Sequence, residues 1–337
     1  MPAPLHISLL AFPDAFVSTI TGVFDVLNSF QMLAGHDGMP SAPPFRIDIV
    51  AEVAGPVDLA SGIPVVANRS IDELPATDIV IVPSVVVRDS WDPGRYPALV
   101  DWLQRMHAQG AVLCSACSGV FLLAETGLLD SRDATVHYDY AGIFAAAFPG
   151  IHLEAEQVLV VAGQDQEFVM SGAATTWHDL TLYLIARFVG TGAAQSVARF
   201  FAIQWHVDNL TPYMVFDPPM DHGDGVISGI QAWLKENSAI GNPVQQMVAQ
   251  SGLPERSFKR RFSKATGHSP INYVQRQRVE MAKRLLEREA LSIDEISWRV
   301  GYEDASAFRR LFKKLAGVTA GAYRRKFRLP NHIAADS

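Results

Sequence analysis

The sequence predicts an α/β domain with a mainly parallel sheet followed by an all-α domain, and three observations carry that prediction. Charge is divided unevenly: residues 226–329 hold 20 Lys and Arg against 9 Asp and Glu, whereas the full 337-residue chain has a net charge of −7 and its first lysine is Lys235. Upstream of about residue 208, short β-rich runs alternate with helical periods; downstream only helical periods occur. The basic half also repeats itself internally. Two domains with different partners follow from the charge split alone.

Taken in order, residues 6–12, 45–51, 78–82 and 111–114 read as buried strands, and residues 96–109 and 171–188 as helices. These elements make up a first domain over residues 1–207. Residues 208–224, DNLTPYMVFDPPMDHGD, are rich in Pro, Asp and Gly without a sustained period and read as a linker. Residues 225–329 form the helical domain. At 49% hydrophobic the chain can bury two cores, which excludes a disordered protein. The two cysteines, Cys114 and Cys117, are too few and too close for a disulfide framework and suggest a reducing compartment. The start, MPAPLHISLLAFPD, lacks the layout of a secretion signal, and no apolar run is long enough to cross a bilayer. The expectation is a cytoplasmic protein with no membrane partner.

The repeat appears when residues 258–273 are laid on residues 308–323. Both copies read F-x-R-x-F-x-K-x-x-G-x-x-x-x-x-Y, matching Phe258, Arg260, Phe262, Lys264, Gly267 and Tyr273 to Phe308, Arg310, Phe312, Lys314, Gly317 and Tyr323. A short amphipathic segment and a glycine, Gly252 or Gly301, precede each copy. Two tandem helix-turn-helix units are predicted, at about residues 243–265 and 292–315. Phenylalanines at i and i+4 share one face of each second helix and pack inward, so the arginines face out. Arg256, Lys259 and Arg260 in the first unit, and Ala305, Ser306, Arg309 and Arg310 in the second, are candidates for base edges in a major groove. Lys264, Lys313 and Lys314 lie further along, better placed for phosphates. The basic segment 271–288 would join the units, aiming the two helices at successive groove faces about 34 Å apart if rigid. A bundle whose aromatic residues are merely core explains the phenylalanines but not the arginines.

These residues, LPERSFKRRFSKATGHSPINYVQRQRVEMAKRLL and SIDEISWRVGYEDASAFRRLFKKLAGVTAGAYRRKF, resemble the DNA-binding domain of the AraC/XylS family. The resemblance covers nearly a third of the chain and implies double-stranded DNA as partner. One departure is visible: Ser269 and Pro270 follow the family pattern, but the second unit has Thr319 and Ala320 where proline is usual.

In the first domain, AVLCSACSGVFLLAETGLL runs a buried strand through small residues into Cys117 and opens a helix at Ser118 and Gly119, the layout of a nucleophile elbow. A helix N-terminus there would favour a thiolate. With the strand pattern, this resembles the PfpI-like branch of the class I glutamine amidotransferase-like superfamily, which implies a flavodoxin-like fold with helices on both sheet faces. Catalysis in that superfamily needs a base beside the cysteine and oxyanion donors. This chain has Ser118 directly after the cysteine where PfpI-like proteases carry histidine, Thr19 ahead of Gly22 where hydratase-like members carry an acid, and Ser84 and Val85 in place of a glycine pair. His137 could serve as a base or be structural. The Cys-x-x-Cys spacing also invites a redox pair or a metal site, but no further ligands accompany it. The combination resembles GlxA-type AraC-family regulators, which implies a non-catalytic pocket for a small effector near Thr19, Ser84, Cys117, Ser118 and His137, and a homodimer. No catalytic residue, metal or cofactor is expected. The competing readings are a Cys117-dependent hydrolase or hydratase fused to a DNA-binding domain, and an architectural DNA binder.

Overall fold

Every side chain from His6 to Leu10 in the first strand, β1 (Leu5–Leu10), is buried, the mark of a parallel strand covered on both sheet faces. The computed structural model describes residues 3–36 and 38–329, and the chain divides into two units after Leu210. In the first unit, β1 leads to α1 (Val17–Asn28), β2 (Phe45–Ala51), the hairpin β3 (Gly55–Asp58) and β4 (Pro64–Ala67), β5 (Arg69–Ser70) and β6 (Ile79–Val82). There follow α2 (Pro97–Ala108), β7 (Val112–Ala116), α3 (Val120–Ala124), β8 (Asp133–Ala134), α4 (Ala141–Ala147), β9 (His152–Leu153), β10 (Leu159–Ala162), β11 (Phe168–Ser171), α5 (Trp177–Phe188) and α6 (Thr191–Phe200). Seven strands form one sheet in the order β10-β11-β7-β6-β1-β2-β5, parallel except for the β10–β11 pair. Helices α1 and α5 pack together, as do α2 and α3. The chain runs from β1 to β2 on one side and returns to β6 on the other, so strand order reverses beside β1, where such folds bind ligands.

The predicted helix over residues 171–188 begins six residues late. Ser171 ends β11, in register with Ala116 of β7, because Phe168–Ser171 is wholly buried in the sheet. A turn then intervenes, in which Thr176 Oγ1 donates to the Ala173 carbonyl at 2.8 Å. The hairpin β3–β4 and the antiparallel edge strand β10 gave no sequence signal above their flanking loops.

Among the described residues of the second unit every regular element is a helix: α7 (Gly225–Asn237), α8 (Pro243–Ser251), α9 (Glu255–Thr266), α10 (Pro270–Arg288), α11 (Ile293–Arg299), α12 (Ala305–Ala316) and α13 (Ala320–Phe327). Capping residues set the boundaries. Ser269 accepts from Asn272 N–H at the start of α10, where Pro270 needs no donor of its own. Ser292 and Glu295 form a capping box at α11. Thr319 accepts from Ala322 N–H at α13, so a threonine cap does there what the absent proline would have helped to do. Two cores result. Phe258, Phe262, Tyr273 and Val274 join Ile227, Ile230 and Leu234 of α7, while Phe308, Phe312 and Tyr323 join Val279, Ala282 and Leu286 of α10. The 19-residue α10 thus closes the first bundle with one end and founds the second with the other.

Much of the predicted linker is fastened to this helical unit. Lys283 Nζ donates to the Met214 carbonyl at 2.6 Å, Phe216 meets the Tyr273 ring edge-on at 5.1 Å, and Ser228 Oγ donates to the Met220 carbonyl at 2.9 Å. Low periodicity concealed a strap whose carbonyls are bound by side chains on helices.

Candidate nucleic-acid interface and the cysteine elbow

On α9 the buried residues are Phe258, Phe262 and Thr266, a single stripe at i, i+4 and i+8. Arg256, Lys259, Arg260 and Lys264 are exposed on the remaining surface. On α12, Phe308, Phe312 and Ala316 form the same stripe, leaving Ser306, Arg309, Arg310, Lys313 and Lys314 exposed and Ala305 half-buried. Two of these cations are held by acids on the protein: Lys259 Nζ lies 2.5 Å from Glu255, and Arg309 pairs with Asp294 on α11. Arg256, Arg260 and Arg310 have no ion-pair partner among the described residues. A helix surface of free guanidinium groups can donate paired hydrogen bonds to guanine edges or phosphates.

Two arginines that the repeat did not single out organise this surface. Arg261 forms a bidentate pair with Asp224, at 2.9 and 2.8 Å, while Asp224 also caps α7; this ties the second helix of the first unit to the helix behind it. Arg278, in the middle of α10 and 9% exposed, donates from Nε to the Ser238 carbonyl (2.7 Å), from Nη2 to Ile240 (2.9 Å) and from Nη1 to Gly301 (2.9 Å). The first two acceptors precede α8 and the third lies in the turn before α12, so one guanidinium joins both helix-turn-helix units. Gly301 makes this possible. Its φ is +89° and an added Cβ would stand 2.4 Å from the Ala239 carbonyl oxygen. In the sequence, 271–288 is one basic segment joining the units, and nothing in it distinguishes the buried Arg278 from the cations around it.

In the first unit, β7 delivers Cys117 at φ +52°, a left-handed backbone that non-glycine residues seldom adopt and that marks a strained turn. Glycine follows at position 119 because a Cβ there would lie 2.3 Å from the Pro83 carbonyl oxygen. The backbone is an elbow, but its chemistry is closed. Cys117 is 4% exposed, and burial pushes its thiol up from the ordinary range, with Asp139 adding to the rise and hydrogen bonds to Ser118 and Ser84 opposing it. Burial outweighs the helix start, and the expected thiolate is not favoured. Cys114, fully buried in β7, is raised by the same cause.

The other expected pocket residues are committed to the protein itself. Thr19 Oγ1 donates to Ser84 Oγ at 3.1 Å; Ser118 Oγ donates to the Val85 carbonyl at 2.6 Å and accepts from Val85 N–H at 2.9 Å. Thr19, Ser84 and Ser118 are all buried. They lock the loop after β6 onto the elbow. His137 Nδ1 accepts from Asp139 N–H at 3.3 Å, its ring lies against that of Tyr138 at 4.3 Å with a tilt of 32°, and burial lowers its pKa. Near the elbow, burial raises the Tyr140 hydroxyl, and Asp139 pushes both it and the Cys117 thiol further up. The sequence displayed them only as an aromatic, acidic run after His137. Among the described residues no group of three or more His, Cys, Asp or Glu is placed to hold a metal ion, and no helix is long and apolar enough to cross a membrane.

Comparison with known proteins matches residues 247–326 to a helix-turn-helix domain and residues 25–187 to the DJ-1/PfpI family. The HTH-type transcriptional regulator GlxA of Rhizobium meliloti (strain 1021) is 28% identical over 226 residues, covering 66% of this chain and 68% of that protein. The HTH-type transcriptional regulator CdhR of Pseudomonas aeruginosa is 24% identical over 273 residues, covering 80% and 78%. An isonitrile hydratase of Pseudomonas putida is 25% identical over 198 residues, covering 57% of this chain and 76% of the enzyme.

Proposed function

We propose that this chain, a transcriptional regulator and not an enzyme, in which an AraC-type helix-turn-helix domain follows a DJ-1/PfpI domain, reads its operator with α9 and α12. It would do so as a cytoplasmic homodimer under the control of a small effector held by the first unit. The observation that carries this reading is the pair of exposed cationic helix faces, repeated at an offset of 50 residues and joined by the buried Arg278. Arg256, Lys259, Arg260, Ser306, Arg309 and Arg310 are assigned to base edges and nearby phosphates, and Ala305 to a thymine methyl. Lys264, Lys313 and Lys314 are assigned to phosphates. Dimerisation follows from the two-fold symmetry usual for regulators on DNA.

Hydratase chemistry at Cys117 is disfavoured by the raised thiol and by the absorption of Ser118 and Thr19 into structural hydrogen bonds. The test of the DNA reading is binding of the full chain to its own upstream region and to scrambled DNA across a salt series. Preference for the upstream region, weakened by Arg260→Ala and by Arg310→Ala, is expected. Equal and steeply salt-dependent binding to both would leave only an electrostatic DNA binder.

A further inference from the structure

We propose that Glu255 and Asp294 are positioning residues for base selection: they hold the cations at one shared position of the repeat, Lys259 and Arg309, on neutral base edges and away from phosphates. The inference rests on reading α9 and α12 as the helices that enter the groove, and it gives two acids a role there.

Position 259 of the first helix-turn-helix unit corresponds to position 309 of the second, each one residue past a buried phenylalanine, Phe258 or Phe308. Both cations are held. Lys259 Nζ donates to Glu255 Oε1 at 2.5 Å, and Arg309 Nη2 donates to Asp294 Oδ1. The two acids come from different places. Glu255 opens α9 itself, one turn ahead of Lys259, and its counterpart in the repeat is Ala305. Asp294 stands in the first turn of α11, and its counterpart is Val244, which packs against the core of its own bundle. Each unit therefore lacks the other's acid and supplies one of its own. Copying of a repeat would carry an acid to matching positions; here acids at unmatched positions reach matched cations, so the pairing belongs to the recognition surface. The neighbouring Arg256, Arg260 and Arg310 have no such partner among the described residues.

A carboxylate bonded to a cation changes what that cation can hold. A phosphate brought to Lys259 or Arg309 would also approach the carboxylate, and like charges repel. The O6 and N7 acceptors of guanine carry no net charge, and a cytosine amino group can donate to the carboxylate itself. Asp294 engages Nη2 of Arg309, and the guanidinium has further N–H groups to offer a guanine. The acids thus lower affinity for DNA backbone in general and widen the gap between right and wrong sequences, since discrimination is built from repulsion as well as attraction. All four side chains are more than half exposed, where DNA can reach them and where an ion pair adds little to folding.

The experiment uses the full-length protein. Its preferred site is selected from random-sequence duplexes, and fluorescence anisotropy then gives affinities for that site, its single-base variants and a scrambled duplex across a salt series. Glu255→Gln and Asp294→Asn should each bind the scrambled duplex several-fold more tightly at low salt, with a salt slope steeper by about one. Each should also lose about tenfold of discrimination, at a different base pair. Arg309→Ala should cancel the effect of Asp294→Asn. Adding Ala305→Glu to Asp294→Asn sets an acid one turn ahead of Arg309, as in the first helix-turn-helix unit, and should return scrambled-duplex affinity and slope to those of the unsubstituted protein; a merely structural Asp294 predicts no such rescue. Thermal melting checks folding, and Glu255→Gln carries the test if Asp294→Asn is not folded. Unchanged slope and discrimination, or an equal loss of affinity for every sequence, overturns the proposal. Should the unsubstituted protein select no site, the reading of α9 and α12 falls as well. A selected site that depends on Arg260 but not on Glu255 or Asp294 removes this assignment alone.

Discussion

The two helix-turn-helix units share a buried stripe and differ in what stands behind it. Position for position, Phe258, Phe262 and Tyr273 correspond to Phe308, Phe312 and Tyr323, and both triads are buried. Between the phenylalanines, however, Arg261 of the first unit becomes Leu311 of the second. Arg261 reaches Asp224 at the start of α7, whereas Leu311 packs against the second core. The first unit leans on a helix by an ion pair, the second on α10 by apolar contact. The repeat thus preserves what makes a recognition helix and varies what supports it.

The comparison breaks most severely at the joint. Arg278→Ala leaves the Ser238, Ile240 and Gly301 carbonyls without their donor, at about 1–3 kcal/mol for each that stays buried and dry. Two-site DNA binding should fall to the level of one unit, so that changing the spacing between half-sites no longer matters; a spacing preference that survives would show that Arg278 does not set the geometry. Within each unit, Phe262→Ala and Phe312→Ala should each cost about 3–5 kcal/mol in a urea melt of the full chain. Because α10 contributes to both cores, hydrogen exchange should show either variant loosening α10. Loosening confined to the mutated unit would mean that the two bundles are independent.

Surface substitutions sharpen the comparison further. Arg260→Ala and Arg310→Ala are each expected to cost about 1–3 kcal/mol in specific affinity and to relax preference at different base pairs. Lys264→Ala should lower affinity for every sequence and reduce the salt slope by about one. The support for α9 titrates, whereas the support for α12 does not. The Arg261 guanidinium beside Asp224 holds its carboxyl below the usual carboxylate range. That contribution is therefore complete above the unfolded carboxylate's pKa and is lost as pH falls through the lower, folded value. Acid should loosen the α7–α9 contact, and Asp224→Asn should remove that pH dependence by removing the ion pair, because asparagine still caps α7.

The helical unit was the more legible half because its signals are local and periodic. Six identities at fixed spacing gave the repeat, the glycines gave the turns, and alternation of Phe with Arg assigned inside and outside. The joint was not legible, since Arg278 looks in sequence like the basic residues around it and only burial distinguishes it. In the first unit the largely apolar, buried strands β1, β6 and β7 could be read, but β11 could not. Four buried residues ahead of a helix resemble the helix itself when only hydrophobicity is counted. The elbow was visible from its small residues, and the bonds that fasten it were not, because those from Thr19 to Ser84 and from Ser118 to Val85 cross 65 and 33 residues of sequence.

The smallest expected effect separates backbone from chemistry at that elbow. If the strained turn persists because it grips the loop after β6, Cys117→Ser should leave DNA affinity within error, since serine preserves a small polar side chain at the same φ. Ser118→Ala removes both bonds to Val85 and should cost about 1–3 kcal/mol through the backbone groups left buried and unpaired. A buried thiol with a raised pKa is a poor nucleophile at neutral pH, so alkylation of native protein by iodoacetamide should be slow at Cys117 and accelerate on unfolding, as followed by peptide mass spectrometry. Rapid native alkylation would mean that the elbow opens in solution far more often than its hydrogen bonds allow, and that the cysteine retains a chemical role.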